Sequence, residues 1–172
     1  STITGTDWIT HDFMVILGDA AHGMVPFFGQ GVNCGFEDCT ILMELLDTTH
    51  NHWPSTLQLF NAQRVADANA IATMSSLNYP ELLDNPNLDL IMKEKKIELM
   101  LSQQFADLYR TYHNLVCFDR VPYAKIEKIR ALQTKIIAQL ARSRASGDEL
   151  DRDEILRVLT HYQQDLNQTL KQ

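Results

Sequence analysis

One stretch constrains the fold more than any other: residues 15–33 read VILGDAAHGMVPFFGQGVN. The apolar run at residues 13–17 predicts a short strand buried on both faces, with Asp19 where that strand ends. Four glycines then let the backbone approach a ligand closely before a helix begins near Gly31. Because a helix N-terminus presents unpaired amides and a positive dipole end, the stretch predicts a site for a ligand with polar or anionic groups.

The same residues carry a resemblance to a known family. Residues 18–22, GDAAH, are similar to the second flavin-binding motif of the single-component FAD-dependent aromatic hydroxylases. Residues 25–38, VPFFGQGVNCGFED, extend the similarity to the branch of that family that hydroxylates L-kynurenine. The resemblance covers about residues 8–130 and is strongest at 13–47. A simple strand-to-helix turn would explain two of the glycines but not the whole string, so we favour a functional site.

The resemblance implies an activity and its cofactors. It implies an NADPH- and FAD-dependent monooxygenase that converts L-kynurenine to 3-hydroxykynurenine through a flavin hydroperoxide. FAD is the expected cofactor, NADPH the expected co-substrate, and a small aromatic amino acid the expected partner. Two alternatives stay open: a hydroxylase of another phenolic or aromatic acid, and a non-catalytic helical interaction module or inactive truncation.

The expected cofactor contacts lie in the glycine-rich loop and at the helix entry. In the family the acid matching Asp19 accepts a hydrogen bond from the ribityl chain of the flavin. The amides around Gln30 are expected to stabilise negative charge on the pyrimidine side of the flavin. The residues implied for the cofactor are Gly18, Asp19, Pro26, Gly29, Gln30, Gly31, Val32 and Asn33.

No catalytic side chain and no metal ligand is assigned from the sequence. We interpret His22 as a packing residue that fixes the loop, because no nucleophile follows at a suggestive spacing. Glu37 and Asp38 lie near the start of the predicted helix, where complementing the helix dipole is a sufficient explanation for them.

Substrate contacts are expected from two places near the loop and beyond it. Phe27 and Phe28 are hard to bury together in a glycine-rich loop, so at least one is expected to line a cavity for a flat aromatic substrate. In the family, the Asn of an Asn-Tyr pair helps to hold the amino-acid end of the substrate. The resemblance carries that role to Asn78.

A further substrate contact is ambiguous in this sequence. Residues 115–123 are similar to a segment that follows a substrate-binding Tyr in the family. Direct counting places His113 at that position, with Tyr112 beside it. Either Tyr112 supplies the hydroxyl after a one-residue shift, or the pocket differs and takes a related aromatic acid.

Composition excludes some classes of function. A formal net charge of −7 and a pI near 5.2, without a basic patch, argue against nucleic-acid binding. Three cysteines without a C-x-x-C pair indicate neither a disulfide framework nor a zinc site, which favours the cytoplasm. No apolar run is long enough to be a membrane segment, and the polar C-terminal residues resemble the soluble bacterial members of the family. The oligomeric state is left open.

Helical periodicity dominates the rest of the chain. Apolar residues recur at helical spacing from Gly31 or Val32 to Asp47, which predicts one helix with a buried face. That face comprises Val32, Phe36, Cys39, Leu42, Met43 and Leu46. Further helices are predicted from a capping box at 55–58 to Asn78, over residues 87–112, from Pro122 to Arg144, and from residue 151 to about Leu170.

The predicted fold is mainly α with a short β element, as the C-terminal part of an α/β FAD-dependent monooxygenase fold. We expect residues 1–48 to end the FAD-binding domain, 49–145 to form a helical substrate-side region, and 146–172 to form an accessory C-terminal helix. No G-x-G-x-x-G turn occurs, so an N-terminal nucleotide-binding portion is expected to be missing. The chain alone is therefore expected to be inactive and to bind FAD poorly.

Overall fold

Helices form most of the molecule, and the only sheet among the described residues has two strands. The prediction of a mainly α chain with a short β element is confirmed. Packing divides the chain into two units, Ser1–Tyr79 and Pro80–Gln172. The computed structural model describes most of the sequence, namely residues 2–11, 13–77, 88–143 and 151–171.

The first unit packs two long helices against a short hairpin and a single helical turn. Its core gathers apolar side chains such as Trp8, Leu57 and Phe60, all nearly or fully buried. The elements are β1 (Ile9–Thr10), β2 (Met14–Val15), α1 (Asp19–His22), α2 (Gly31–Thr48) and α3 (Trp53–Leu77). β1 and β2 are antiparallel, with Ile9 opposite Val15.

The predicted buried strand at residues 13–17 is wrong in length and in burial. Within residues 13–17 only β2 (Met14–Val15) pairs with another strand. Phe13, Met14 and Ile16 are 71%, 53% and 45% exposed. In the described part of the chain β1 is its single partner strand, so these side chains lie at a hairpin and not inside a sheet. Asp19 accordingly begins α1 a few residues beyond the strand.

The helix predicted from Gly31 to Asp47 is confirmed as α2, but its predicted buried face is only partly right. Leu42 and Leu46 of that face are buried, whereas Val32, Phe36 and Met43 are 69%, 70% and 59% exposed. The other buried positions of the helix are Cys34 and Asp38, which the prediction did not include. The prediction used apolar residues only and therefore treated Asp38 as a surface residue. Because Asp38 is in fact buried, the predicted face was rotated about the helix axis relative to the real one.

The start of α3 differs from the predicted capping box. The helix begins at Trp53, and Ser55 pairs through its hydroxyl with the His52 ring at 2.8 Å instead of capping a helix. Its long run to Leu77 agrees with the predicted helix. The predicted end at Asn78 lies outside the described residues.

The second unit is a helical bundle around one apolar core. Its elements are α4 (Leu88–Gln104), α5 (Tyr112–Phe118), α6 (Tyr123–Ser143) and α7 (Arg152–Lys171). The single helix predicted over 87–112 is wrong beyond Gln104, because a turn follows and Thr111 caps a new helix by accepting the Asn114 N–H at 3.1 Å. The helices predicted after Pro122 and after residue 151 are confirmed as α6 and α7.

The helix α7 shares a core with α4 and α6. Its Ile155 and Leu159 are buried together with Leu101 and Leu140. The predicted functional division at residues 48 and 145 stays a prediction.

Candidate functional site

The glycine-rich loop runs from β2 to α2 and contains two residues that need the left-handed region of the backbone. Gly18 has φ 56° and Gly29 has φ 66°, and a Cβ built at either position would meet nothing within 4 Å. Glycine is required there by backbone conformation rather than by crowding within the chain. The space beside both positions is open for a ligand to approach the main chain.

One further glycine of the loop, Gly23, is required by close approach. A Cβ on Gly23 would lie 2.9 Å from the carbonyl oxygen of Asp19, a separation that Cβ atoms do not tolerate. A Cβ on Gly35, in α2, would lie 3.7 Å from the Cα of Gly18. The backbone of α1 therefore packs tightly on its own following turn, and α2 runs directly past the start of α1.

The N-terminus of α2 and the carboxylate of Asp19 lie side by side. A Cβ on Gly31 would be 3.9 Å from Oδ1 of Asp19, and Asp19 is exposed. The side chain of the N-cap residue, Gln30, does not cap this helix, whose first intrahelical bond joins the Cys34 N–H to the Gln30 carbonyl. The amides of the first turn and an exposed carboxylate acceptor thus face one region of space.

The side chains of the loop support its shape. Gln30 is buried, donates from Nε2 to the Phe28 carbonyl at 3.3 Å and accepts at Oε1 from Asn33 at 2.9 Å. Phe28 is buried and Phe27 half-buried, so the loop does accommodate one of the two aromatic rings fully. Pro26 is exposed beside them. Whether these residues contact a ligand stays a prediction.

Behind the loop lies a buried ionic network that the sequence did not reveal. Asp38, on α2, is fully buried and accepts three hydrogen bonds. Its Oδ2 lies 2.6 Å from Nε2 of His22 and 3.1 Å from the Gly18 amide, and its Oδ1 lies 2.9 Å from Nε of Arg64. The dipole role expected for Asp38 is therefore wrong, whereas His22 is indeed a buried residue that fixes the loop.

The arginine of this network bridges α3 to α2. Arg64 is 1% exposed, and besides Asp38 it lies 2.9 Å from Glu37 and 3.3 Å from Asp67. Burial alone would lower the pKa of Arg64, but the bond to Asp38 and the charges of Glu37 and Asp67 raise it above its ordinary value. The guanidinium is therefore a permanent cation inside the first unit.

The surroundings of Asp38 keep its carboxylate ionised. Burial alone would raise the pKa of Asp38, but the hydrogen bonds from His22, the Gly18 amide and Arg64 bring it below the ordinary value of 3.8. An ionised carboxylate only accepts hydrogen bonds. Nε2 of His22 therefore carries the hydrogen and donates a hydrogen bond to Asp38. Among the described residues Nδ1 of His22 has no partner.

Spacing on the two helices could have revealed the network. Asp38 stands four residues after Cys34 and four before Leu42, on the buried face of α2. Arg64 stands four residues after Phe60 on the buried face of α3. A charged residue at the centre of an apolar stripe on each of two adjacent helices is a signal for a buried ion pair.

Of the residues expected near the substrate, Phe27 and Phe28 lie in the loop of the first unit, and Tyr112 and His113 lie in the second unit. Tyr112 is buried, donates its amide to Oε1 of Gln133 at 2.9 Å and has the Arg130 guanidinium 5.5 Å from its ring centre. It also lines a cavity of about 120 Å³ between α4 and α6. His113 is exposed, with Nε2 3.8 Å from Sγ of Cys117. Asn78 is not among the described residues.

Two kinds of feature are absent from the described residues. Within them no three His, Cys, Asp or Glu side chains come together in a way that could hold a metal ion. None of the described helices combines the length and the apolar character needed to cross a membrane.

Comparison with known proteins tests the resemblance to the flavin hydroxylases. Residues 6–75, which include the whole loop, match the model of an FAD binding domain. The chain is 38% identical over 166 residues, 96% of its length, to the kynurenine 3-monooxygenase of Legionella pneumophila (strain Corby). The resemblance to the flavin hydroxylases is confirmed. The kynurenine 3-monooxygenases of Caenorhabditis elegans and Myxococcus xanthus (strain DK1622) are 36% and 35% identical over 75% and 87% of the chain.

The chain matches only part of each of these relatives. It spans 37% of the Legionella kynurenine 3-monooxygenase, 28% of the C. elegans one and 32% of the M. xanthus one. The FAD-binding match and the flavoprotein relatives support FAD as the cofactor, and NADPH is consistent with the family.

The described residues fit a flavin. Open space beside Gly18 and Gly29 admits a ligand against the main chain. The uncapped N-terminus of α2 suits the electron-rich oxygen and nitrogen atoms of the pyrimidine ring, and the exposed Asp19 suits the hydroxyl groups of the ribityl chain.

Proposed function

We propose that the protein containing this chain is an FAD-dependent aromatic ring hydroxylase that converts L-kynurenine to 3-hydroxykynurenine at the expense of NADPH and O2. Its kynurenine 3-monooxygenase relatives and the FAD-binding match support the class of enzyme. The substrate, the use of NADPH and the mechanism are the parts that we add.

The observation that carries this proposal is the meeting of Asp19 with the N-terminus of α2. A carboxylate acceptor and a set of amide donors lie next to each other, beside two glycines with open space. A ligand that bears hydroxyl groups next to a ring with electron-rich carbonyl groups would satisfy both kinds of partner. The flavin end of FAD has this arrangement.

The proposed division of labour follows from these positions. FAD, reduced by NADPH, supplies the activation of O2 and the transfer of one oxygen atom to the aromatic ring. Asp19 orients the flavin by accepting hydrogen bonds from its hydroxyl groups. The amides of Gly31, Val32 and Asn33 stabilise negative charge on the ring without transferring a proton. The residues around Phe28 exclude water from the reacting face.

We propose that the remaining contacts come from the rest of the protein and from other residues of this chain. We propose that the pyrophosphate and adenosine sites lie outside these 172 residues, since the sequence has no G-x-G-x-x-G turn. We further propose that Phe27, Phe28 and Asn78 contribute to the substrate pocket. We propose that Tyr112, which lines a cavity, supplies the hydroxyl of the family's substrate-binding Tyr after a one-residue shift, because the exposed His113 has no hydroxyl group.

Turnover by the full-length protein tests the proposal. Purified protein loaded with FAD should oxidise NADPH in the presence of L-kynurenine and form 3-hydroxykynurenine in equal amount. NADPH oxidation that yields only hydrogen peroxide would contradict the substrate assignment. Absence of bound FAD and of any NADPH oxidation would contradict the enzyme class.

A different aromatic acid is a second candidate for the substrate. The specific observation is His113, which stands where the family has a substrate-binding Tyr. A panel of kynurenine, anthranilate and phenolic acids, scored by product formation coupled to NADPH oxidation, separates the two. Product from a phenolic acid and none from kynurenine would favour this second candidate.

A further inference from the structure

The carboxylate of Asp38 ties three separate segments of the first unit together. Its Oδ2 accepts from the Gly18 amide at 3.1 Å and from Nε2 of His22 at 2.6 Å. Its Oδ1 accepts from Nε of Arg64 at 2.9 Å. One oxygen thus holds both ends of α1, and the other is held from α3.

These hydrogen bonds lie at the two ends of α1 and therefore fix the orientation of that helical turn. Gly18 is the left-handed residue immediately before Asp19, so its amide sets the direction in which the main chain enters α1. His22 ends α1, and its ring is completely buried. With both ends of this single turn fixed to Asp38, the exposed side of α1, which carries Asp19, has one orientation relative to the start of α2.

Such a buried charge is an expensive way to hold two helices together. Apolar residues of similar volume often stabilise a protein as well as a buried ion pair or better, because the charges lose hydration. Arg64 carries three carboxylate neighbours, and a buried guanidinium in that position fixes direction as well as distance. The network is therefore better explained by the geometry that it imposes on the loop than by stability alone.

We infer that Asp38 is a positioning residue for the flavin loop, which aligns Asp19 with the amides of α2, and that Arg64 acts through it by holding the Asp38 carboxylate in place. This inference rests on the proposed function, because it assumes that the aligned groups bind a flavin. Neither Asp38 nor Arg64 is placed in contact with the flavin itself.

Asp38→Asn in the full-length protein is the decisive variant. It keeps the size of the side chain but removes the charge, and one of its two terminal atoms becomes a donor that cannot accept from the loop. Glu44→Gln, an exposed position on the same helix, is the matched control. Three quantities are compared: the FAD dissociation constant well below the melting temperature, the visible circular dichroism of the bound flavin, and hydrogen exchange in peptides covering residues 14–33.

The expected result is weaker FAD binding in a protein that is still folded. Losing a hydrogen bond to a charged group should weaken FAD binding about tenfold or more, alter the flavin dichroism and speed exchange in the loop, with Glu44→Gln unchanged. A lower melting temperature with unchanged FAD affinity, dichroism and loop exchange would show a merely structural role and overturn the inference.

Two further variants keep the test decisive if Asp38→Asn does not fold. Arg64→Lys retains the charge but loses the Nε donor that bonds Asp38, and His22→Gln retains a donor with a different reach. Each should loosen the loop and weaken FAD binding by a smaller factor than Asp38→Asn. Wild-type affinity and loop exchange in both variants would overturn the inference.

Failure of the proposed function is distinguishable from failure of this inference. If the wild-type protein binds no FAD, the proposed function fails, and loop exchange in the FAD-free protein still decides whether Asp38 positions the loop. If the wild type binds FAD and the variants bind it equally well, the proposed function stands and the positioning role does not.

Discussion

The two units of this chain bury different kinds of side chain. Among the described residues of the first unit, the buried polar or charged side chains are His22, Gln30, Asp38, Thr56, Arg64, Asp67 and Ser75. In the described part of the second unit, only Gln133 is a buried polar side chain, within a core of Leu, Ile and Tyr.

This difference indicates which unit holds its buried side chains in one fixed orientation and which unit only needs to fill the volume of its core. Apolar packing is non-directional, and many combinations of Leu and Ile fill the same volume. A buried carboxylate with three donors has one good arrangement. The directional interior of the first unit lies directly behind the glycine-rich loop, whereas the second unit uses a single amide, Gln133, to hold the Tyr112 amide and the Arg110 carbonyl.

The largest expected effect comes from removing the cation of the first unit. Arg64→Met should lower the free energy of unfolding of this unit by about 3–5 kcal/mol, because buried Asp38 and its acidic neighbours lose their partner. Arg110→Met, whose half-exposed side chain pairs with Asp119 at 2.8 Å, is the control and should cost less than about 1 kcal/mol. Urea unfolding, read by pulsed hydrogen exchange of peptides from each unit, measures both. Equal costs would remove the distinction between buried and surface ion pairs here.

Creating a cavity in the apolar core of the second unit should lower the free energy of unfolding of that unit. Leu159 is fully buried between helices, so Leu159→Ala should cost about 2–5 kcal/mol. Leu170→Ala, at a position that is 39% exposed, should change stability by no more than about 0.5 kcal/mol. The same exchange-detected urea titration applies. Equal costs for the two variants would contradict the assignment of Leu159 to a buried core.

Glycine substitutions should separate the two reasons for glycine in the loop. Gly23→Ala would place a Cβ 2.9 Å from the Asp19 carbonyl oxygen and should cost about 1–3 kcal/mol through the shift that this forces. Gly29→Ala meets no atom within 4 Å and should cost only about 1 kcal/mol, from its left-handed backbone. Thermal unfolding of both variants measures the difference. A more harmful Gly29→Ala would indicate that conformation, and not close approach, dominates the loop.

Acid should destabilise the first unit more than the second. The pKa of Asp38 lies below its ordinary value of 3.8 in the folded protein, so its ionisation stabilises the fold above that value. This contribution is lost as the pH falls from near 3.8 through the lower folded-state pKa. Urea midpoints measured for each unit between pH 6 and pH 3 test it, and Asp38→Asn should flatten the dependence. Identical slopes for wild type and Asp38→Asn would contradict the ionised state of Asp38.

Local signals in the sequence were sufficient for much of the helical framework. The bounds of α2 followed from the spacing of its apolar residues and from the glycine at its start, and α6 followed from Pro122, which directly precedes it. The family resemblance identified the loop because the positive φ angles at Gly18 and Gly29 require glycine, which makes the loop recognisable as a sequence motif. These features depend on residues that are neighbours in the sequence.

Features that depend on distant residues were the ones that the sequence did not reveal. Asp38 and Arg64 are 26 positions apart, and each alone is more often a surface residue. Their pairing also decides which face of α2 is buried, so part of that face was predicted wrongly for the same reason. The strand at residues 13–17 was misjudged because an apolar run does not say which strands lie beside it.

The most direct test of the flavin loop is the FAD affinity of the full-length protein with Asp19→Ala. Asp47→Ala, an exposed acid at the other end of α2, is the control. We predict that Asp19→Ala is purified largely free of FAD and binds added FAD more weakly, while Asp47→Ala retains the wild-type affinity. Full FAD occupancy with unchanged affinity in Asp19→Ala would contradict the role of this loop in holding the flavin.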